Sequence, residues 1–282
     1  MGFQRVKRGG RISVGTLALY ILLIGLAVIC FLPFYFMMIN ATHNNRAIAQ
    51  SLNFLPGKYS WANYLKMSER VNIWRGFLNS LIVSGVGTAL LAYFGSLAAY
   101  GLSKYKFMGN KLLFWVVLSS MMVPPQLSMI GMYDVISKFK LIDNLWALIL
   151  PMIASAQFVY FVKLYIDTAL PDSIVESARI DGYSEISIYN KIILPIISPS
   201  IATMGMFAFI NSWNQLLIPQ IVLRNPKVHT IPVIVANAKG VYRTDFAAAY
   251  MAIALSVVPI LIAFALFSKR IIGGITAGSV KG

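Results

Sequence analysis

The stretch "LALYILLIGLAVICFLPFYFMMI", Leu17–Ile39, holds no Asp, Glu, Lys, Arg or His from end to end. A helix needs about 20 apolar residues to cross the hydrocarbon core of a bilayer, and this stretch supplies them. Arg5, Lys7, Arg8 and Arg11 precede it, a flank that signal peptides also have. Its apolar part exceeds the ~7–15 residues of a signal core and no small-residue cleavage site follows, so it reads as a retained anchor.

Further runs free of charge extend over Phe77–Ser103, Leu112–Tyr133, Asn144–Val162, Ile192–Leu223 and Phe246–Ser268. Backbone polar groups in lipid must be bonded within their own segment, which makes each run a helix. An outer-membrane barrel would show alternating segments of about 10 residues instead. The expectation is an all-α integral membrane protein. Six transmembrane helices fall at about 17–39, 77–103, 112–133, 144–166, 192–223 and 246–268. A basic N-terminus covers 1–16, the six-span domain 17–270, and a tail 271–282.

Composition agrees. Hydrophobic residues make up 58% and charged residues 12%, about half the ~25% charged share of soluble domains. The net charge of +15 is better explained by Lys and Arg in loops than by nucleic acid, since no basic run carries base-stacking aromatics. Cys30 is the single cysteine, so no internal disulfide can form, and no metal-ligand spacing occurs. Lys and Arg divide almost evenly between the two sets of loops. The dense N-terminal cluster and the basic loop Lys104–Lys111 favour an N-terminus inside, with the C-terminus on the same side. Several prolines, among them Pro124–Pro125, fall within the runs and are expected to kink them.

One polar island interrupts the pattern: "PDSIVESARIDGYSEISIYNKIILP", Pro171–Pro195. Asp167, Asp172, Glu176, Asp181 and Glu185 gather in or just before it, out of nine acidic residues in the chain. Ser173 with Glu176 three residues on spells a capping box. Asp172 and Glu176 suit the positive end of a helix dipole. Gly182 is a natural C′ stop, and Ser184 can cap a second helix running into the fifth span. The island therefore reads as helix, corner, helix between spans four and five, on the inner side. It is either a solvated connector or a docking element offering Ile174, Ala178 and the corner to a partner.

The residues Glu176, Ser177, Ala178, Asp181 and Gly182, followed by Ile192, Leu194 and Pro195, resemble the cytoplasmic EAA loop of permease subunits of bacterial ATP-binding-cassette importers. Ser177 stands where that loop has another small residue, and Tyr183 where it has alanine. "AAYGLSKYKFMGNK" (Ala98–Lys111), "MMVPPQ" (Met121–Gln126), "NSWNQLLIPQIVL" (Asn211–Leu223) and "GGITAGSVKG" (Gly273–Gly282) are similar to the carbohydrate branch, in particular to the shorter subunit of maltose-type pairs.

The resemblance implies a pathway shared with a second permease subunit, in a bacterial inner membrane. It implies two ATP-binding-cassette ATPases that hold ATP and magnesium, and an extracellular or periplasmic solute-binding protein that delivers a sugar. The chain itself has no G-x-x-x-x-G-K-[ST] loop and is expected to bind no cofactor and catalyse nothing. Glu176, Ser177, Ala178, Asp181, Gly182, Tyr183, Leu194 and Pro195 would couple it to the ATPases. Glu176 and Asp181 would orient the helix and meet partner donors, Ala178 would allow close approach, and Leu194 with Pro195 would set the lead into span five. Thr276, Gly278 and Lys281 in the tail would touch the ATPases. Trp213, Asn214 and Gln215 could stack on and hydrogen-bond a sugar; interface packing by Trp213 and an interhelical bond from Asn214 explain them equally well. Trp61, Asn63 and Tyr64 lie where the binding protein would dock. An ion-coupled carrier fits poorly, because the runs hold no ionisable relay. An importer of another solute is the nearer alternative.

Overall fold

The computed structural model describes residues 14–241, 245–259 and 261–262. Among them every regular element is helical: α1 Val14–Asn40, α2 Asn45–Gln50, α3 Ser60–Arg70, α4 Ile73–Lys104, α5 Asn110–Met121, α6 Pro125–Lys138, α7 Trp146–Ile153, α8 Ala156–Ala169, α9 Asp172–Ile180, α10 Glu185–Ile188, α11 Leu194–Asn214, α12 Leu217–Val222, α13 Ile231–Val241 and α14 Phe246–Pro259. A π-helical turn, Tyr189–Ile193, joins α10 to α11.

The chain divides into two compact units. The first holds α1, α2, most of α3 and the start of α14. Apolar side chains are exposed all around α1, including Leu22, Ile24, Ile29 and Phe31. A helix apolar on every side is at home in lipid or against other membrane helices. Beyond α1 the chain doubles back: Asn63 is buried and donates from Nδ2 to the carbonyls of Ala41 and His43, both at 2.8 Å. Asn63 is thus an internal brace and not a contact residue. Trp61, exposed, stacks on Tyr64 with ring centroids 5.3 Å apart.

The second unit is built around α4, which packs against α7, α8, α11 and α13. Asn72 caps α4 by accepting from the Arg75 N–H at 3.0 Å. Its buried face is rich in small residues, among them Gly76, Ser80, Ser84, Gly87, Gly95 and Ser96. Such residues let membrane helices approach closely. A Cβ at Gly87 would come within 2.5 Å of Met152 Sδ, and one at Gly95 within 2.8 Å of Phe158. Near the start of α4, Asn79 donates to the carbonyls of Lys227 and His229, and Ser80 Oγ accepts from the Ile231 N–H.

The spans differ from the sequence expectation in identifiable ways. The first two runs are single helices, α1 and α4. The third run, Leu112–Tyr133, is two helices, α5 and α6, bent by 110° at the break. Pro124 is extended (ψ 128°) and Pro125 opens α6; neither can donate a helical hydrogen bond. The fourth run contains a break at Ala154–Ser155, where Ser155 caps α8 through the Phe158 N–H. The fifth begins at Glu185 rather than Ile192 and stops at Asn214, because Gln215 turns extended (ψ 126°) and α12 is separate. Among the described residues, four helices are long and apolar enough to cross a membrane, five if the bent pair is one span. The predicted sixth span, 246–268, is described only through α14 and residues 261–262.

Candidate functional site

The segment 171–195 folds as helix, corner, helix. Its start differs from the expectation: Pro171 is the N-cap residue of α9, in extended conformation. Asp172 takes the first helical position. Ser173 therefore lies inside the helix and forms no capping box; its carbonyl accepts from Ser177 Oγ at 2.7 Å. A proline at the cap carries no N–H to leave unpaired. Lys104 supplies the cation there, donating from Nζ to the Leu170 carbonyl at 2.5 Å and to Asp172 Oδ1 at 2.6 Å. This hydrogen bond and the Lys104 charge hold the Asp172 carboxyl below the usual carboxylate range.

The end of α9 follows the expectation. Gly182 adopts φ +80°, the left-handed region that other residues reach at a cost of roughly 1–2 kcal/mol. The Gly182 N–H donates to the Arg179 carbonyl at 3.0 Å and the Tyr183 N–H to the Ala178 carbonyl at 3.1 Å. This paired pattern is the Schellman stop. Ser184 caps α10 by accepting from the Ser187 N–H. Tyr183, half exposed, has the Lys191 ammonium 5.8 Å from its ring centre. The π turn then precedes Leu194 and Pro195. Leu194 is partly buried against the core and Pro195 exposed. The helical run is already established at Glu185, so this pair does not mark where it begins. Pro195 has no N–H to offer the preceding turn, and the wider turn lies where that mismatch arises.

Two residues of the expected docking face point elsewhere. Ala178 is only 4% exposed and packs with Val175 in the core formed by α4, α8 and α11. Ile174 is partly buried against the same core. Ala178 therefore lets α9 lie close to its own subunit. The apolar groups left at the corner are Ile180, 86% exposed, and Ile186, 71% exposed, with Tyr183 between them. Sequence periodicity held this signal: Val175 and Ala178 are three apart on one face, and Ile180 falls off it.

The acidic island also splits. Asp167 pairs with Lys163 at 2.7 Å and accepts from Ser103. Asp172 pairs with Lys104. Glu185 Oε1 accepts from Arg179 Nε at 2.7 Å, and Glu185 Oε2 from the Tyr105 hydroxyl. The Glu185 bond holds the Arg179 guanidinium more firmly protonated than usual. Burial, then donation to Glu185, pushes the Tyr105 hydroxyl up. Glu176 and Asp181 are exposed and form no ion pair among the described residues.

A second candidate region lies at the far end of α11. A cleft of about 320 Å³ is bordered by Leu91, Met132, Met152, Ser155, Asn211, Ser212 and Gln215, among others. Of the expected pathway residues, Gln215 lines it. Trp213 does not: it is 3% exposed, stacked on Phe209 (5.8 Å) and tilted against Phe77 (6.1 Å). Asn214 is exposed and donates to the Ile210 carbonyl one turn back, not to another helix. Asn211 and Ser212 were missed, though a helical wheel puts Asn211, Ser212 and Gln215 on one side and Trp213 on the other. Thr276, Gly278 and Lys281 lie outside the described residues.

Comparison with known proteins agrees in sequence and in shape. Residues 91–273 match the family described as binding-protein-dependent transport system inner membrane component. The chain is 30% identical over 281 residues to the arabinooligosaccharides transport system permease protein AraQ of Bacillus subtilis, covering 98% of this chain and 100% of that protein. It is 29% identical over 264 residues to the diacetylchitobiose uptake system permease protein NgcG of Streptomyces coelicolor, covering 92% and 87%. A chain of a bacterial ABC transporter involved in import of the acidic polysaccharide alginate superposes with TM-score 0.80 at 19% identity, over 95% of this chain and 99% of that one.

Proposed function

Because the chain belongs to the inner membrane components of binding-protein-dependent transport systems, we propose that it moves a sugar or oligosaccharide inward by alternating access. Membership makes it a multi-pass permease subunit of the bacterial inner membrane. The carbohydrate assignment is drawn from relatives whose names specify arabinooligosaccharides and diacetylchitobiose. A second permease subunit completes the pathway, two ATPase subunits bind ATP and magnesium and perform hydrolysis, and a solute-binding protein delivers the substrate. Both termini and the corner Pro171–Pro195 face the cytoplasm.

One observation carries the coupling role. The corner exposes Ile180, Tyr183 and Ile186 together with the carboxylates Glu176 and Asp181, which form no ion pair among the described residues. A hydrophobic centre with charge around it is the make-up of a protein interface, here with the ATPases. Gly182 keeps the corner tight. The second helix of the corner is the start of span five itself, with Leu194 and Pro195 lying within that run just after the π turn. Gln215, Asn211 and Ser212 offer hydrogen-bonding groups to a polyhydroxylated solute in the cleft, and the tail residues Thr276, Gly278 and Lys281 reach the ATPases.

The test is sugar uptake into proteoliposomes holding all subunits. Gly182→Val strains the left-handed position and Glu176→Lys reverses an interface charge. Each is expected to lower ATP-driven uptake by about tenfold or more, the scale of one or two kcal/mol of lost coupling. Wild-type uptake in both variants would refute the docking role. A solute-binding protein that co-purifies loaded with a non-carbohydrate would refute the sugar assignment.

A further inference from the structure

The motif Ala98–Lys111 carries part of the family likeness, yet coupling and the substrate cleft leave it without a task. Its Lys104 and Tyr105 are consecutive residues at the end of α4. Each fastens one end of α9. At the start, Lys104 Nζ, nearly buried at 7% side-chain exposure, reaches the Leu170 carbonyl and Asp172. At the finish, the Tyr105 hydroxyl donates to Glu185, whose other oxygen holds Arg179 across the corner. The Arg179 guanidinium also lies 5.4 Å from the centre of the Tyr105 ring.

The second fastening continues inward. Tyr105 meets Tyr100 edge-on at 5.6 Å, and Tyr100 meets Tyr189 at 5.9 Å. The Tyr189 hydroxyl lies 2.7 Å from Ser96 Oγ and donates to the Tyr93 carbonyl at 2.9 Å. Ser96 and Tyr93 are again on α4. A helix held at one end pivots; a helix held at both ends by the same neighbour moves with it. The Arg179–Glu185 pair also spans the glycine corner, so that load on Ile180 and Ile186 is not absorbed by bending at Gly182. On α4, about one and a half turns from Ser96, sits Leu91, which borders the cleft.

We propose that Lys104, Tyr105, Arg179 and Glu185 are positioning residues that clamp the corner to α4, making α4 the span that carries ATPase motion to the cleft wall. This rests on the coupling role proposed above.

The test uses the complete transporter in proteoliposomes and reads sugar molecules taken up per ATP hydrolysed. Tyr105→Phe, which keeps the ring and removes the hydroxyl, and Glu185→Gln are each expected to lower that ratio by about fivefold, the lower range of measured couplings. Exchanging the pair, Arg179→Glu with Glu185→Arg, should recover at least half of the loss suffered by Arg179→Glu alone. A defect of folding would lower uptake and hydrolysis together and gain nothing from the exchange; that result, or a ratio equal to wild type, would overturn the clamp. A second measurement does not depend on disabling variants. Spin labels at Ser173→Cys on α9 and Phe94→Cys on α4, in a Cys30→Ser background, should keep their separation within about 3 Å between nucleotide-free and ATP-trapped states, as rigid-body motion requires. A larger change means that α9 swings on α4 and removes the proposal. Loss of ATP dependence in the unmodified transporter would instead remove the coupling role, leaving the label distance to judge the clamp alone.

Discussion

At the Glu185 end of the fifth helical run, Lys104 and Arg179 each hold a carboxylate within 2.7 Å. At its Asn214 end, Asn211, Ser212 and Gln215 border an open cleft. One helical run thus joins a region of closed polar contacts to one of available polar groups. The contrast suits the roles proposed for the two ends. A lever loses motion to every contact that can slide, so ion pairs, a Schellman stop and tyrosine rings packed edge-on and tilted suit it. A passage must take up and release a hydrated solute, and a site already saturated with internal bonds has nothing to exchange. Ala178 belongs to the first kind of region and Trp213 to the packed wall behind the second, although both lie beside residues that face outward.

The largest effect expected from breaking this contrast is at Ala178. Ala178→Leu adds volume where α9 meets its own core, an overpacking cost of about 1–3 kcal/mol. Thermal melting of the purified permease pair, without the ATPases, should fall by several degrees. If Ala178 instead faced a partner, the pair would melt unchanged and only ATPase binding would suffer. At the other end, Gln215→Leu and Asn211→Leu should each raise the half-saturating sugar concentration about three- to tenfold, the worth of one hydrogen bond, with melting unchanged. Trp213→Leu should do the reverse, lowering the melting temperature and sparing apparent affinity. A Trp213 variant with weakened sugar affinity and normal melting would make this ring a stacking platform after all.

How much of this was legible depends on the range of the signal. Gly182 and Ser184 were readable because a C′ glycine and a hydroxyl cap act within a few residues. The runs 17–39 and 77–103 were readable because hydropathy needs no partner. Ser173 misled: its box with Glu176 was sound locally, but Pro171 and Lys104, the latter 68 residues from Asp172, placed the helix start earlier. Trp213 misled for a similar reason. Aromatic and amide residues beside each other suggest a sugar site in one dimension, while three-dimensional packing on Phe77 and Phe209 decides which of them is available. The clamp was invisible, since Tyr105 and Glu185 lie 80 residues apart and neither belongs to a spacing rule. The double prolines announced a break at 124–125 but not the size of the 110° bend.

The smallest effect concerns acid. Asp172 has its carboxyl lowered in the folded chain, first by the hydrogen bond from Lys104 and then by its charge. A lowered folded value means the contribution is fully present above the unfolded carboxylate value of about 3.9 and is lost as pH falls through the folded one. The melting difference between wild type and Asp172→Asn should therefore stay constant from about pH 5 to 8, begin to shrink near about pH 4, and disappear only below the lowered folded value. It should be small, because Asp172 is 71% exposed and solvent screens such pairs. A difference that instead disappears between pH 5 and 8 would assign the titration to another group. Even at low pH Lys104 keeps the Leu170 carbonyl, so acid should weaken the fastening at the start of α9 without releasing it, and the uptake-per-ATP ratio of the Asp172→Asn variant should fall less than that of Glu185→Gln, which loses a charge shared by two partners.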